Sequence, residues 1–201
     1  MFALVTCAKP LVCHFRKEET AMKGVVFVEL LSMAESAFGE ATVDNVLDEA
    51  DLDNGGAFTA VGNYPCDHLI KLVEGFSEKS GASPEALQQK FGFWMLDFFE
   101  KGYSDFFVGK ENSFDMLEAI DTEIHVEVLK LYPEAELPSF TTERFGDNQF
   151  EMVYSSPRPL VEFCQGLIEA CIERFKETAT IERTAVPNQP NSTRFLITLT
   201  S

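Results

Sequence analysis

The sequence predicts an α+β fold with a four-stranded antiparallel sheet, on three observations. Apolar residues recur at helical spacing from Val25 to Leu131; alternating strand patterns are confined to the stretch after Pro138; and one helical pattern separates the two strand pairs. Helices first and strands later, with one helix between strands, argue for an α+β domain with an antiparallel sheet.

The elements follow in order. Residues 1–21 lack clear periodicity and read as an N-terminal extension, a disordered arm or an early start, ahead of one domain over 22–201. Their Cys7, Cys13 and His14 fall short of the four ligands a structural zinc site requires. Val25–Phe38 reads as a helix with Val26, Leu30, Met33 and Phe38 near one face, ended by Gly39. Thr42–Asp51 is a shorter helix, and Asp53-Asn54-Gly55-Gly56 a turn. Asp67–Lys79 is a helix stopped by Gly81. Ser83-Pro84-Glu85 starts the next: Ser caps, Pro occupies the first helical position and Glu complements the positive end of the helix dipole. That helix runs through Phe91, Met95 and Phe99. A further helix runs from Ser113 to Leu131, with the stripe Leu117, Ile120, Ile124, Val128 and Leu131, and Pro133 ends it. Phe140–Arg144 and Gln149–Ser155 read as strands, Leu160–Lys176 as a helix, and Thr180–Ala185 with Arg194–Thr200 as a hairpin.

A chain of 201 residues, 45% hydrophobic, is long enough for one domain with a sizeable core. Its 19 Phe suit either an ordinary aromatic core or an apolar ligand pocket. The net charge of −17 repels phosphate backbones and anionic lipid, which argues against nucleic acid or a membrane as partner. The five cysteines form no CxxC pair and suggest reduced thiols in the cytoplasm. No apolar run approaches the ~18 residues of a membrane span. Phe2–Ala8 is short and has no basic region before it, so a signal peptide is not expected.

Two features carry chemistry. His125 follows Ile124 of the apolar stripe, so it points toward the edge of the core. That placement suits an axial haem ligand, although taken alone such a histidine is more often a hydrogen-bonded core or surface residue. Tyr154, Ser156 and Arg158 alternate near the end of a strand, so they share one face. Two hydroxyls and a guanidinium make a donor set suited to carboxylates. A polar outer face of an edge strand explains the spacing as well.

Tyr154-x-Ser156-x-Arg158 resembles the haem-propionate signature of the H-NOX (haem nitric oxide/oxygen binding, HNOB) family. His125, in a helix ending Leu131-Tyr132-Pro133, matches that family's proximal histidine, and Pro138 the proline that distorts the haem plane. Met22-Lys23-Gly24 matches its usual start and Gly166-Leu167-Ile168-Glu169 the segment after the signature. The resemblance spans residues 22–201. It implies a helical N-terminal subdomain, a C-terminal subdomain with the sheet, and haem b (iron protoporphyrin IX) between them, His125 being the axial ligand of the iron.

The resemblance also assigns the distal side. Oxygen-binding members supply a Tyr five residues after the signature Arg; here Phe163 stands there. Leu30 and Met95 occupy the supporting positions, and Val26, Phe99 and Leu167 complete the wall. A hydrogen bond to a charged group contributes roughly 1.5–3 kcal/mol, about 10- to 100-fold or more in affinity. Without that donor, oxygen is expected to be excluded, while nitric oxide and CO bind. The family implies a sensor, not an enzyme, in which release of His125 signals to a separate partner such as a histidine kinase or a cyclic-di-GMP enzyme. Zinc is not expected, because the Thr180–Thr200 hairpin has neither Cys nor His, and Cys66-x-His68 is a weak metal signal. The alternatives are a peroxidase-like haem enzyme, which needs distal acid–base groups, and a haem-free interaction module of the same fold.

Overall fold

The computed structural model describes residues 20–200. Most of the extension expected over 1–21, with Cys7, Cys13 and His14, lies outside the described residues. Ala21 is already part of the fold: β1 (Ala21–Lys23) pairs antiparallel with β2 (Asn63–Pro65), a short ribbon the sequence did not suggest.

The helical half comprises α1 (Gly24–Phe38), α2 (Glu40–Glu49), α3 (Cys66–Ser80) and α4 (Pro84–Gly102). Each matches an expected helix within a few residues. Gly39 separates α1 from α2 with φ +85°, a region open to glycine and costly for other residues. The Ser83 hydroxyl accepts from the Ala86 amide at 3.2 Å, as its role as a cap demands. The interior of this half is one apolar cluster built on Phe27, Leu30, Leu69, Leu72, Phe76, Phe91 and Met95.

A 3₁₀ turn (Ser104–Phe107) leads into α5 (Ser113–Ala119), a π-helical turn (Ile120–Ile124) and α6 (His125–Leu131). One helix was expected from Ser113 to Leu131; the π turn interrupts it. The extra residue there shifts every later side chain by about one helical step, roughly 100°. The stripe therefore fails at its end: Leu131 is 70% exposed. The same shift turns His125 back toward the face that Leu117 buries.

The sheet is antiparallel with order β3-β4-β6-β5, from β3 (Ser139–Phe145), β4 (Gln149–Ser155), β5 (Ala179–Ala185) and β6 (Ser192–Leu199). Between β4 and β5 runs α7 (Val161–Arg174). This helix serves both halves. Cys164, Ile168, Cys171 and Ile172 pack with Phe150, Met152 and Phe195 of the sheet, whereas Phe163 and Leu167 pack against the cluster of the helical half. Where α7 crosses α4, Gly92 and Gly166 let the backbones meet. A Cβ on Gly92 would lie 2.5 Å from the Leu167 nitrogen and 2.6 Å from the Phe163 oxygen. That close crossing sets Phe163 and Leu167 beside Phe91 and Met95. Among the described residues, no helix is long and apolar enough to cross a membrane.

Candidate functional site

His125 opens α6, and its backbone N–H donates to the Ile120 carbonyl across the π turn. Its side chain is 17% exposed. The imidazole Nδ1 lies 2.6 Å from Asp121 Oδ1, and the other oxygen of that carboxylate accepts from the Phe140 amide at 2.7 Å. Burial pushes the imidazole pKa below its ordinary value, with Asp121 acting in the opposite sense. A neutral ring is the form that binds a metal.

Phe140 connects the two expected features. Its ring centroid lies 5.8 Å from that of His125 and 5.6 Å from that of Tyr154, its register partner on β4. Along β4 and past its end, burial alternates strictly: Phe150, Met152, Tyr154, Ser156, Arg158 and Leu160 are buried. The period of two thus persists beyond the last strand residue, Ser155, into the loop carrying Ser156 and Arg158. The alternative of a polar outer face on an edge strand fails, because β4 is an interior strand and the three polar residues point inward.

Burial raises the Tyr154 phenol to about 12, against the pull of its hydrogen bond with Ser156 and of the Arg158 charge, so it keeps its proton as a donor. The Arg158 side chain is 5% exposed; its Nη2 donates to the Ala21 carbonyl at 2.7 Å and to Glu136 Oε2 at 3.1 Å. Its Nε is buried without a hydrogen-bond partner. Such an atom costs roughly 1–3 kcal/mol or more until something accepts from it. Pro138 lies half-buried in the loop between α6 and β3, two residues before Phe140.

The expected distal residues also converge. Leu30 and Met95 are buried within the helical-half cluster, and Val26, Phe99, Phe163 and Leu167 pack against it. Phe163 stacks on Phe91 with centroids 5.0 Å apart. None of the six side chains carries a hydrogen-bond donor.

Sequence reasoning missed Asp121, Phe140 and Glu136, and weighed Cys66 only as half of a weak Cys-x-His metal signal. The i−4 spacing of Asp121 from His125 was the one available signal. Cys66 begins α3, and its thiol is raised to about 11 by burial, partly offset by the Arg158 charge. His68 does not pair with Cys66; its Nε2 lies 3.1 Å from Asp53 Oδ1. Two open grooves, of about 470 and 520 Å³, lie elsewhere: Lys110, Asp115 and Glu118 line one, Asn148, Lys176 and Leu199 the other.

These residues fit a haem group. The set comprises an imidazole with Nδ1 already engaged, an orphaned guanidinium nitrogen, two hydroxyls and an apolar wall, which is the chemistry an iron porphyrin with carboxylate arms demands. The comparisons agree. The family model described as Haem-NO-binding (HNOB) matches residues 23–183, and the chain belongs to that family, the H-NOX proteins, which are haem-based gas sensors. Among solved structures, the chain is 40% identical to the IWP-051-bound H-NOX from Shewanella woodyi in the Fe(II)CO ligation state. That match covers 88% of this chain and 94% of that one, with a TM-score of 0.76. The unliganded Fe(II) H-NOX protein from K. algicida is 29% identical over 90% of this chain and 97% of its own, TM-score 0.83. An H-NOX protein from S. oneidensis in the Fe(II)NO ligation state shares the fold at 22% identity over 90% of this chain and 100% of its own, TM-score 0.81. No curated protein matches the chain.

Proposed function

We propose that this protein is a nitric oxide sensor that binds haem b between its two halves, takes NO or CO at the ferrous iron, excludes oxygen, and signals to a separate protein. Two observations support the proposal: His125 is tethered through Nδ1 to Asp121, and Val26, Leu30, Met95, Phe99, Phe163 and Leu167, the residues assigned to the distal side, share one apolar cluster without a donor.

Bound there, haem would supply an iron centre for a diatomic ligand. The protein does the rest. His125 would hold the iron through Nε2, because Nδ1 is engaged by Asp121. Tyr154, Ser156 and Arg158 would hold the propionates as hydrogen-bond donors, and a propionate oxygen would accept from the Arg158 Nε that is buried without a partner. Pro138, half-buried in the loop before β3, would press on the bound group. The wall would offer no hydrogen bond to bound oxygen, which gathers negative charge, whereas nitric oxide would need none. If His125 let go of the bound group, α6 would be free to move against the helical half. That movement becomes a signal if a partner binds the two arrangements with different affinity. A histidine kinase or a cyclic-di-GMP enzyme is the partner class we propose, and the cytoplasm the compartment. An enzymatic role is not proposed, since acid–base groups are absent from the six wall residues.

Absorption spectra of the ferrous protein under NO, CO and air test the proposal. We expect NO to displace His125, CO to bind with His125 retained, and air to leave no stable oxygen complex. A stable complex in air would overturn the selectivity, and turnover of peroxide would favour an enzyme.

A further inference from the structure

We propose that Asp121 is the positioning residue of His125, fixing its tautomer with one carboxylate oxygen and fastening it to the sheet with the other. The proposal rests on the reading of His125 as axial ligand.

The carboxylates of this helical stretch divide by partner. Glu118 pairs with Arg144 at 2.9 Å, Glu123 with Lys110 at 2.8 Å and Glu127 with Lys130 at 2.5 Å. Asp121, among the described residues, pairs with no Lys or Arg. One oxygen lies 2.6 Å from His125 Nδ1 and the other accepts the Phe140 amide at 2.7 Å. An ionised carboxylate only accepts, so Nδ1 carries the proton and Nε2 keeps its lone pair. The contact sits across the π turn, and single π turns gather at functional sites. A straight α-helix would aim His125 about one step away from this face.

Two consequences follow from general metal-site chemistry. A carboxylate that accepts from a ligating imidazole raises the basicity of the ring and fixes its orientation. It strengthens the bond made through Nε2, so Asp121 sets how readily His125 is released. The second oxygen carries any movement of His125 to Phe140, whose ring lies between His125 and Tyr154.

The test is resonance Raman of the ferrous holoprotein, read at the iron–histidine stretch, for wild type and Asp121→Asn. The amide can still accept from Phe140, but it removes the negative charge facing Nδ1. We expect a lower stretching frequency, haem retention weakened roughly 10- to 100-fold, and a Phe140 amide that stays protected from hydrogen exchange. Identical frequencies in the two proteins overturn the proposal and leave the haem reading intact. A wild type with no iron–histidine band overturns both. If the variant does not fold, the wild type decides, compared with ferrous haem ligated by 1,2-dimethylimidazole, which has no ring N–H to donate. A higher frequency in the protein supports the tether, and an equal one refutes it.

Discussion

Gly92→Ala should destabilise the protein even though it improves helix propensity. In a helix interior, Ala is favoured over Gly by about 0.8–1.0 kcal/mol. Against that gain, the new methyl would lie 2.5 Å from the Leu167 nitrogen and 2.6 Å from both the Gly166 carbon and the Phe163 oxygen. Ordinary contact begins at 3.4 Å, so α4 and α7 must part by about 0.9 Å. All three neighbours are backbone atoms of a second helix, which no rotamer change can move aside. Overpacking costs typically 1–3 kcal/mol, and contact with rigid backbone belongs at the upper end, about 3 kcal/mol. The net loss is about 2 kcal/mol, which lowers Tm by roughly 4–8 °C in a domain of this size. Thermal unfolding followed by circular dichroism measures it, at equal haem loading, since a ligand held by the folded state raises Tm. Gly102→Ala, with nothing within 4 Å of its Cβ, is the control and should leave Tm unchanged or slightly higher. A Gly92→Ala Tm equal to or above wild type would refute the close-crossing argument.

Three further outcomes are expected. Phe163→Tyr adds a donor to the distal wall and should raise oxygen affinity about 10- to 100-fold, read as an oxygen complex in air; an unchanged spectrum would contradict the assigned role of Phe163. Arg158→Met removes the buried guanidinium and should weaken haem retention by a similar factor, measured by haem transfer to an acceptor protein; retention equal to wild type would show that Arg158 holds no propionate. Burial raises the Cys164 and Cys171 thiols to about 12, so the folded state keeps protons that the unfolded chain gives up near 9.0. Their contribution to stability is complete below pH 9 and is lost as pH rises from about 9 toward 12. Denaturant midpoints against pH should fall across that window, less steeply in Cys164→Ala; equal slopes would contradict it.

Much of this molecule can be read from its sequence because its chemistry follows regular periods. Tyr154, Ser156 and Arg158 share a face through strand alternation, which continues two steps past Ser155 although the hydrogen-bonded strand has ended. The α4 start was legible because Ser83 and Pro84 act locally. Leu131 and Asp121 were misread or missed for one reason. The π turn at Ile120–Ile124 inserts a residue that no composition signal marks, so the apolar stripe loses its register there. The same insertion sets His125 in place. The β1–β2 ribbon was missed because three-residue strands have too short a pattern, and Glu136 because ion pairing across a loop has no period at all.

Removal of the His125 side chain tests the central claim most directly. His125→Gly, expressed with adequate haem supply, should lose normal haem attachment and recover it when imidazole is added to the medium. Wild-type haem spectra in that variant without imidazole would contradict the assignment of His125 as the axial ligand.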